Sequence, residues 1–299
     1  MVNSVISTES LTKYYGEVRG IEDLILEVRE GEIFGFLGPN GAGKTTTLRL
    51  LMGLMRPTRG RATVLGMDCW TESVSIKEKV GYLPGEVALY SRLTGDSLVR
   101  FVAGFDGRGE AEAKLLASRL ELDLARKTGD ASRGMKQKLA LILALMKKPP
   151  LLMMDEPTSG LDPITQHVLY EVLNEYRENG TTILFSSHNL PEVERISDRV
   201  GIIREGRLVT TEKIEDLRSK RLRHVEIIFA DEVPAGLDTL PGLAEFEEAD
   251  KRVRLKLRGD INPLLQKMSG FDVVDMSVSH ASLEDVFLEF YGQGKRETT

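Results

Sequence analysis

Short apolar runs alternate with helical patterns along the N-terminal part of the chain. Residues 32–37, 151–156 and 181–187 each contain a short apolar run, at 33–37, 151–154 and 183–185, which is typical of strands buried in a parallel sheet. Residues 45–54 and 163–178 follow two of these runs, and in the second of them apolar positions recur at helical spacing. Together with strand-rich sequence near the N-terminus, this alternation predicts an α/β domain.

A helical segment, residues 85–149, interrupts the alternation. Helices are predicted near residues 96–104, 110–120 and 132–146, and the prolines at 149 and 150 stop the last of them. The segment is therefore expected to be a helical insert in the α/β domain.

The pattern changes again after a charged stretch near residue 220. Apolar residues then alternate with polar ones, which predicts three half-buried strands. Their buried positions are Val225, Ile227 and Phe229; Val253, Leu255 and Leu257; and Val274, Met276 and Val278. Helices are predicted at residues 262–268 and, after a cap pair of Ser282 and Asp285, at the C-terminus. We therefore expect a large α/β domain over residues 1–220 and a small α+β domain with an antiparallel sheet over residues 221–299.

Composition narrows the class of protein. The chain has 299 residues, a net charge of −6 and one cysteine, Cys69. The negative charge argues against nonspecific nucleic-acid binding, and a single cysteine excludes an internal disulfide and favours a reducing cytoplasm. No apolar stretch approaches the roughly 18 residues of a membrane span, and no signal peptide is evident at the N-terminus.

Residues 38–45, Gly-Pro-Asn-Gly-Ala-Gly-Lys-Thr, match the phosphate-loop pattern between a predicted strand and a predicted helix. Such a turn directs backbone N–H groups at phosphate oxygens. Lys44 is placed to reach the outer phosphates and the Thr45 hydroxyl to ligate magnesium. The sequence therefore predicts a nucleotide site here.

Two carboxylates follow the apolar run at residues 151–154. Asp155, at the tip of a parallel strand, is placed to hold magnesium, and Glu156 to orient or deprotonate an attacking water. A solvated acidic turn is the plainer alternative. Ser132 and Gly134 leave N–H groups free for an anion at the start of a helix, although alone this pattern also fits any capped amphipathic helix.

In order along residues 11–209, these motifs resemble the ATP-binding subunits of ABC transporters. The phosphate loop matches the Walker A motif, residues 151–156 the Walker B motif, and Ser-Arg-Gly-Met-Lys-Gln at 132–137 the signature motif. Residues 159–162 match the D-loop, and Ser-Ser-His at 186–188 the switch histidine. The signature variant and the C-terminal part look most like the multidrug and antibiotic export branch.

The resemblance implies a role for each matching residue. ATP would stack its adenine on Tyr15, magnesium would bind Thr45 and Asp155, and Glu156 would act as base with His188 holding it in register. The remaining residues implied to bind nucleotide are Gly38, Pro39, Asn40, Gly41, Ala42, Gly43, Lys44, Thr46 and, from the signature and D-loop, Ser132, Gly134 and Asp162.

The resemblance also implies partners. ATP would be hydrolysed in a dimer with a second ATP-binding subunit, identical or not, in which Ser132 and Gly134 of one protomer cap the γ-phosphate held by the other. A separate transmembrane permease subunit would use this cycle for export, which would place the chain on the cytoplasmic face of the membrane. No nucleic-acid partner is expected.

Two positions depart from the family pattern. Gly85 stands where most members have a glutamine, so that Glu86 is the nearest side chain able to replace it, and Arg133 replaces the first of two adjacent signature glycines. These departures leave open two alternatives: a soluble ABC-type ATPase, or a regulatory nucleotide switch not coupled to transport. The first usually has two ATPase cores or long coiled-coil inserts, which this chain lacks. The presence of Glu156 and His188 argues against the second.

Overall fold

The computed structural model describes residues 3–219 and 222–280. The chain divides into two compact units, Met1–Glu212 and Lys213–Thr299. This division falls just before the charged stretch, whereas the sequence pattern places the boundary at residue 220. In the described part of the chain, every helix is too short or too polar to cross a membrane.

The first unit contains two sheets. One has the strand order β2-β1-β5-β6 with β3 also paired to β1, and the other has the order β11-β10-β4-β9-β8-β7. In chain order the strands are β1 (Ser4–Tyr15), β2 (Val18–Leu24), β3 (Glu27–Arg29), β4 (Ile33–Leu37), β5 (Arg59–Val64), β6 (Met67–Asp68), β7 (Val80–Leu83), β8 (Leu151–Asp155), β9 (Thr182–Ser187), β10 (Arg199–Arg204) and β11 (Arg207–Lys213).

Seven helices accompany these strands among the described residues of the first unit. They are α1 (Lys44–Leu51), α2 (Ser73–Lys79), α3 (Gly95–Ala103), α4 (Glu110–Arg119), α5 (Arg133–Leu145), α6 (Pro163–Glu178) and α7 (Leu190–Ile196). Helices α3, α4 and α5 form the predicted helical insert and pack on one another. Their bounds confirm the sequence prediction to within a residue at each end.

The second sheet brings the candidate site residues together at one edge. Strands β10, β4, β9, β8 and β7 are parallel neighbours, and every residue of β4, β8 and β9 is buried. Parallel strands end at a common edge, so Leu37, Asp155 and Ser187 lie near one another, with Leu37 and Asp155 paired to adjacent residues of β9. The segments that follow them therefore converge.

Helix α1 is shorter than predicted, ending at Leu51 rather than at residue 54. The reason is Gly53, which has a φ of 59°. A Cβ atom there would lie 2.2 Å from the carbonyl oxygen of Cys69. The chain thus needs glycine's freedom to leave the helix at this point.

The second unit is a small α+β domain. Its described elements are α8 (Ile214–Ser219), β12 (Leu222–Phe229), β13 (Leu243–Ala249), β14 (Arg252–Arg258), α9 (Asn262–Met268) and β15 (Val273–His280). The strands form one antiparallel sheet of order β13-β14-β12-β15. The core of this domain contains Val225, Ile227 and Phe229 of β12. They lie beside Val253, Leu255 and Leu257 of the paired strand β14, as the alternation of apolar residues predicts.

Two details of this sheet differ from the sequence prediction. Strand β13 was missed, because its sequence, Leu-Ala-Glu-Phe-Glu-Glu-Ala, is acidic and buries little at the sheet edge. Strand β15 was predicted to be half-buried, but Val274 is 66% exposed and Val278 44% exposed; only Met276 packs against the core. The predicted C-terminal helix near Ser282 lies outside the described residues.

Candidate functional site

Glycines shape the loop between β4 and α1. Gly41 and Gly43 have φ values of 79° and 109°, which residues with a side chain rarely adopt. A Cβ atom at Gly38 would lie 2.3 Å from the Ile203 carbonyl oxygen, so only glycine fits there. The loop therefore folds closely over the strand end and opens into helix α1, as a phosphate loop does.

Lys44 is buried at the start of α1, with 6% of its surface exposed. Its Nζ atom donates to the carbonyl oxygens of Gly38 at 2.7 Å and Pro39 at 3.2 Å. The same atom lies 3.3 Å from Oε1 of Glu156. The ammonium group is thereby fixed at the mouth of the loop, beside the carboxylate that follows β8.

Thr45 and Asp155 form a second pair. The Thr45 hydroxyl donates to Oδ2 of Asp155 at 2.6 Å, and the Ser186 hydroxyl donates to Oδ1 at 2.5 Å. Asp155 is 1% exposed. Burial, and then the charge of Asp155, raises the pKa of the neighbouring Tyr82. A hydroxyl and a carboxylate are the oxygen donors that Mg²⁺ prefers, so this pair fits magnesium.

The pair is a partial ligand set. Among the described residues, no group of three or more His, Cys, Asp or Glu side chains is arranged to hold a metal ion. Mg²⁺ commonly binds one or two protein groups together with phosphate oxygens and water. The donors at Thr45 and Asp155 suit a magnesium ion that arrives with a nucleotide.

Glu156 begins the turn that leaves β8. Its φ is 51°, and its N–H group donates to the Ser186 carbonyl oxygen at 3.2 Å and to the Ser186 hydroxyl at 3.1 Å. Its Oε2 atom lies 2.6 Å from Nδ1 of His188. The carboxylate is therefore held between an imidazole and the ammonium group of Lys44.

A single cleft is lined by the phosphate loop, Asp155 and Glu156, and Tyr15 lines it as well. Its ring is 42% exposed, and Lys13 Nζ lies 5.6 Å from the ring centre. The phenol oxygen is 3.3 Å from Oγ1 of Thr46 and 3.2 Å from the Met55 sulfur. An exposed, anchored aromatic ring beside the phosphate loop offers a stacking face for a base.

The cleft joins most of the residues singled out in the sequence. Of the predicted set it is lined by Tyr15, Asn40, Gly41, Ala42, Gly43, Lys44, Thr45, Thr46, Asp155, Glu156 and His188. Gly38 and Pro39 contribute through the carbonyl groups that hold Lys44. The sequence does not single out Val18, Arg19, Gly20 and Arg49, which also line the cleft and belong to no assigned motif role. Ser159 lines it too; it lies in the D-loop motif, but the resemblance gives it no role in nucleotide binding.

Besides Gly38 and Pro39, three predicted residues are not among those that line the cleft of their own chain: Ser132, Gly134 and Asp162. The Ser132 hydroxyl caps α5 by accepting from the Met135 N–H group at 3.3 Å. Both carboxylate oxygens of Asp162 accept hydrogen bonds from Thr165, at 2.9 and 2.7 Å, and these bonds lower the pKa of Asp162. Asp162 therefore serves as the cap of α6.

The two departures from the family pattern both lie at the cleft. Gly85 and Glu86 line it, and so does Arg133. A Cβ atom at Gly85 would lie 2.8 Å from Oδ2 of Asp155. In this geometry a glutamine at position 85 would require Asp155 to shift, so Gly85 suits the Asp155 position seen here.

Comparison with known proteins identifies the family. A family model described as ABC transporter matches residues 21–159. The chain is 33% identical to the bacitracin transport ATP-binding protein BcrA of Bacillus licheniformis, over 98% of this chain and 99% of that protein. It belongs to the ATP-binding proteins of ABC transporters. The chain is thus an ATP-binding subunit of this class and an ATP hydrolase, with the P-loop fold predicted from its motifs.

Two further relatives extend the comparison. The chain is 33% identical to the Nod factor export ATP-binding protein I of Cupriavidus pinatubonensis, over 99% of this chain and 93% of that protein. A dimeric ATP-binding cassette in a post-hydrolysis state, bound to ADP and phosphate, is 25% identical with a TM-score of 0.64, over 70% of this chain and 98% of that one. Both agree with the ABC family.

Proposed function

We propose that this ABC subunit hydrolyses ATP in a dimer of ATP-binding subunits and drives export through a separate membrane subunit. The observation that supports the hydrolytic role most directly is the Glu156 carboxylate, placed 2.6 Å from His188 Nδ1 and 3.3 Å from Lys44 Nζ, beside the Thr45–Asp155 pair. A base, a phosphate-binding cation and a magnesium-binding pair are the parts that phosphoryl transfer requires.

ATP binding uses the length of the cleft. The adenine stacks on the exposed Tyr15 ring, and the phosphates accept hydrogen bonds from the N–H groups of the glycine-rich loop. Lys44 exchanges its contact with Glu156 for the outer phosphates, which are more strongly charged. Thr45 and Asp155 would hold the magnesium ion, which neutralises charge on the β- and γ-phosphates.

Hydrolysis then depends on Glu156. Its carboxylate accepts a proton from the attacking water as the water oxygen bonds to the γ-phosphorus. The bond from the γ-phosphorus to the β–γ bridging oxygen breaks, and ADP leaves with that oxygen. His188 holds this carboxylate through the Nδ1–Oε2 contact and would contact the γ-phosphate as well. The protein's contribution is mostly positioning and charge stabilisation, because the transferred group itself undergoes little covalent chemistry with the enzyme.

The dimer accounts for the residues outside the cleft. Ser132 and Gly134, at the N-terminus of α5, would cap the γ-phosphate of ATP bound to the partner subunit, with Asp162 fixing the nearby start of α6. The dimeric relative bound to ADP and phosphate supports this arrangement. ATP would join the two subunits, and hydrolysis would let them separate.

Export is proposed from two relatives, a bacitracin transport ATP-binding protein and a Nod factor export ATP-binding protein. Because no described helix can cross the membrane, the transport path would belong to a permease on whose cytoplasmic side this chain binds. The net charge of −6 gives no support for a nucleic-acid partner.

A membrane-complex experiment tests this proposal. The tagged full-length chain is purified from its native membranes in mild detergent, and any polytopic protein recovered with it is reconstituted with it in vesicles. We expect ATP-dependent export from these vesicles and loss of export with Glu156→Gln. ATP hydrolysis by a chain that never associates with a membrane protein would instead support the soluble ATPase alternative.

A further inference from the structure

Arg133 makes a specific contact outside the roles assigned so far. Its side chain runs from the first turn of α5 to the turn formed by residues 156–160, which begins with Glu156. The Nη2 atom donates to the Ser159 hydroxyl at 2.8 Å. The Cγ, Cδ and Nε atoms of Arg133 lie 3.5 Å from where a Cβ atom of Gly160 would be. The arginine thus packs along this turn and bonds to it.

Two other residues of α5 contact the same turn. The Gln137 amide, which is buried, donates to the carbonyl oxygens of Pro157 at 3.0 Å and Glu156 at 3.4 Å. A Cβ atom at Gly134 would lie 2.8 Å from the Gly160 carbonyl oxygen. The backbones of Gly134 and Gly160 therefore lie close together. Arg133, Gly134 and Gln137 all contact the turn, so the first turns of α5 pack against it.

The turn itself is a compact unit. The Ser159 N–H group donates to the Glu156 carbonyl oxygen at 3.1 Å, and Leu161 N–H donates to Thr158 oxygen at 3.0 Å. The Thr158 hydroxyl is also tied to Glu192 at 2.7 Å. The turn is therefore an ordered unit that includes the backbone of Glu156, and its contacts with α5 are part of what sets its position.

We infer that Arg133 is a positioning residue that couples the two ATP sites of the dimer. The inference rests on the proposed function, in which the N-terminus of α5 contacts ATP held by the partner. ATP in the partner's site would fix α5, and the Arg133–Ser159 bond would pass this position to Glu156 in the chain's own site. Glycine, the usual residue at this place in the family motif, has no side chain to make that bond.

Cooperativity in ATP hydrolysis measures this coupling. The Hill coefficient is determined with ATP for the full-length chain and for Arg133→Ala, Ser159→Ala and the double variant. For two coupled sites it approaches about 2. We expect each single variant to lower it toward about 1, and the double variant to lower it no further, because both substitutions remove the same bond. Arg133→Lys, which retains a donor, should keep part of the cooperativity.

A matched control is Arg100→Ala. Arg100 is an exposed arginine on the same helical insert. Within the part of the chain that the structure describes, its side chain bonds only to the Asp96 carbonyl oxygen in its own helix. This variant should keep the Hill coefficient of the unchanged chain. Arg133→Ala could lose cooperativity through a folding defect, and Ser159→Ala tests for this. It breaks the same hydrogen bond by removing one hydroxyl from a partly exposed position and leaves the arginine in place.

The results separate this inference from the proposed function. If the unchanged chain neither forms an ATP-dependent dimer nor hydrolyses ATP, the proposed function is wrong. If it dimerises and hydrolyses ATP but its Hill coefficient is about 1, the coupling inference is overturned. The same holds if Arg133→Ala and Ser159→Ala retain full cooperativity, or if their effects add in the double variant.

Discussion

Glu156 is the residue whose chemistry can be separated most cleanly from binding. Replacing Glu156 with Gln keeps the shape of the side chain and removes the base, so ATP should still bind while hydrolysis falls by about 10²- to 10⁴-fold. Steady-state ATPase rates and nucleotide titration measure the two effects. Glu178→Gln, an exposed glutamate at the end of α6, is the control and should change neither. A Glu156→Gln variant with near-normal turnover would rule out Glu156 as the general base.

Lys44 carries the positive charge closest to the mouth of the phosphate loop. Lys44→Ala should weaken ATP binding and abolish hydrolysis together, because no other side chain replaces its hydrogen bonds to the phosphates. Isothermal titration with ATP measures the loss, and circular dichroism checks that the variant is folded. Lys114→Ala, an exposed lysine on α4, is the matched control. Unchanged ATP affinity in Lys44→Ala would contradict the phosphate-loop assignment.

Tyr15 should contribute less than Lys44. Stacking of its ring on adenine is worth about 1 kcal/mol beyond area burial, so Tyr15→Ala should weaken ATP binding by roughly 5- to 10-fold. Tyr15→Phe keeps the ring and loses only the phenol contacts with Thr46 and Met55, so its affinity should stay close to normal. The same titration distinguishes the two variants. Equal losses in both would mean that the phenol oxygen, not the ring face, supports binding.

At the scale of elements, helix α6 is joined to the helical insert by Tyr176. This side chain is 6% exposed, and its hydroxyl donates to Glu112 Oε1 on α4 at 2.9 Å and to the Leu145 carbonyl oxygen on α5 at 3.2 Å. Burial, and then the hydrogen bond to Glu112, raises the pKa of Tyr176 well above its usual value. The phenol therefore stays protonated and able to donate throughout the ordinary pH range.

Tyr176→Phe should destabilise the first unit by about 1–2 kcal/mol, because the buried Leu145 carbonyl group loses a hydrogen-bond partner. For a unit of this size, that lowers the midpoint of thermal unfolding by about 2–4 °C per kcal/mol. Tyr170→Phe is the control, since Tyr170 is equally buried and its hydroxyl makes no hydrogen bond to another described residue. If both variants unfold at the same temperature, the Tyr176 hydroxyl does not join these helices.

The elements also show which parts of the structure the sequence can predict. Strands β4 and β8 are buried on both faces, and their sequences are nearly continuous apolar runs that identify them. Strand β9 is equally buried and is identified by the apolar residues 183–185 within it. Strand β13 lies at a sheet edge and buries little, so its acidic sequence gives no such mark. Contacts between distant residues, such as Lys44 with Glu156 and Arg133 with Ser159, depend on how elements meet and have no signature in a local pattern.

At the scale of the whole molecule, every residue that lines the cleft belongs to the first unit. The second unit has its own core around Phe229 and Leu255. A chain truncated after Lys220 should therefore fold and bind ATP with unchanged affinity. Circular dichroism, thermal unfolding and ATP titration check this, with residues 213–299 expressed alone as the control that should fold without binding ATP.

The truncated chain also tests what the second unit does. We expect it to influence turnover or the lifetime of the ATP-bound dimer, because a small α+β unit of this kind, with exposed apolar residues such as Val274 on its edge strand, gains stability from a further surface to bury against. ATPase rate and molar mass in magnesium-ATP are compared with those of the full-length chain. If the truncated chain unfolds or loses ATP affinity, residues 221–299 belong to the ATPase domain and the domain boundary at residue 220 is wrong. If it matches the full-length chain in every assay, including dimerisation, the boundary stands and the second unit has no regulatory role in the isolated subunit.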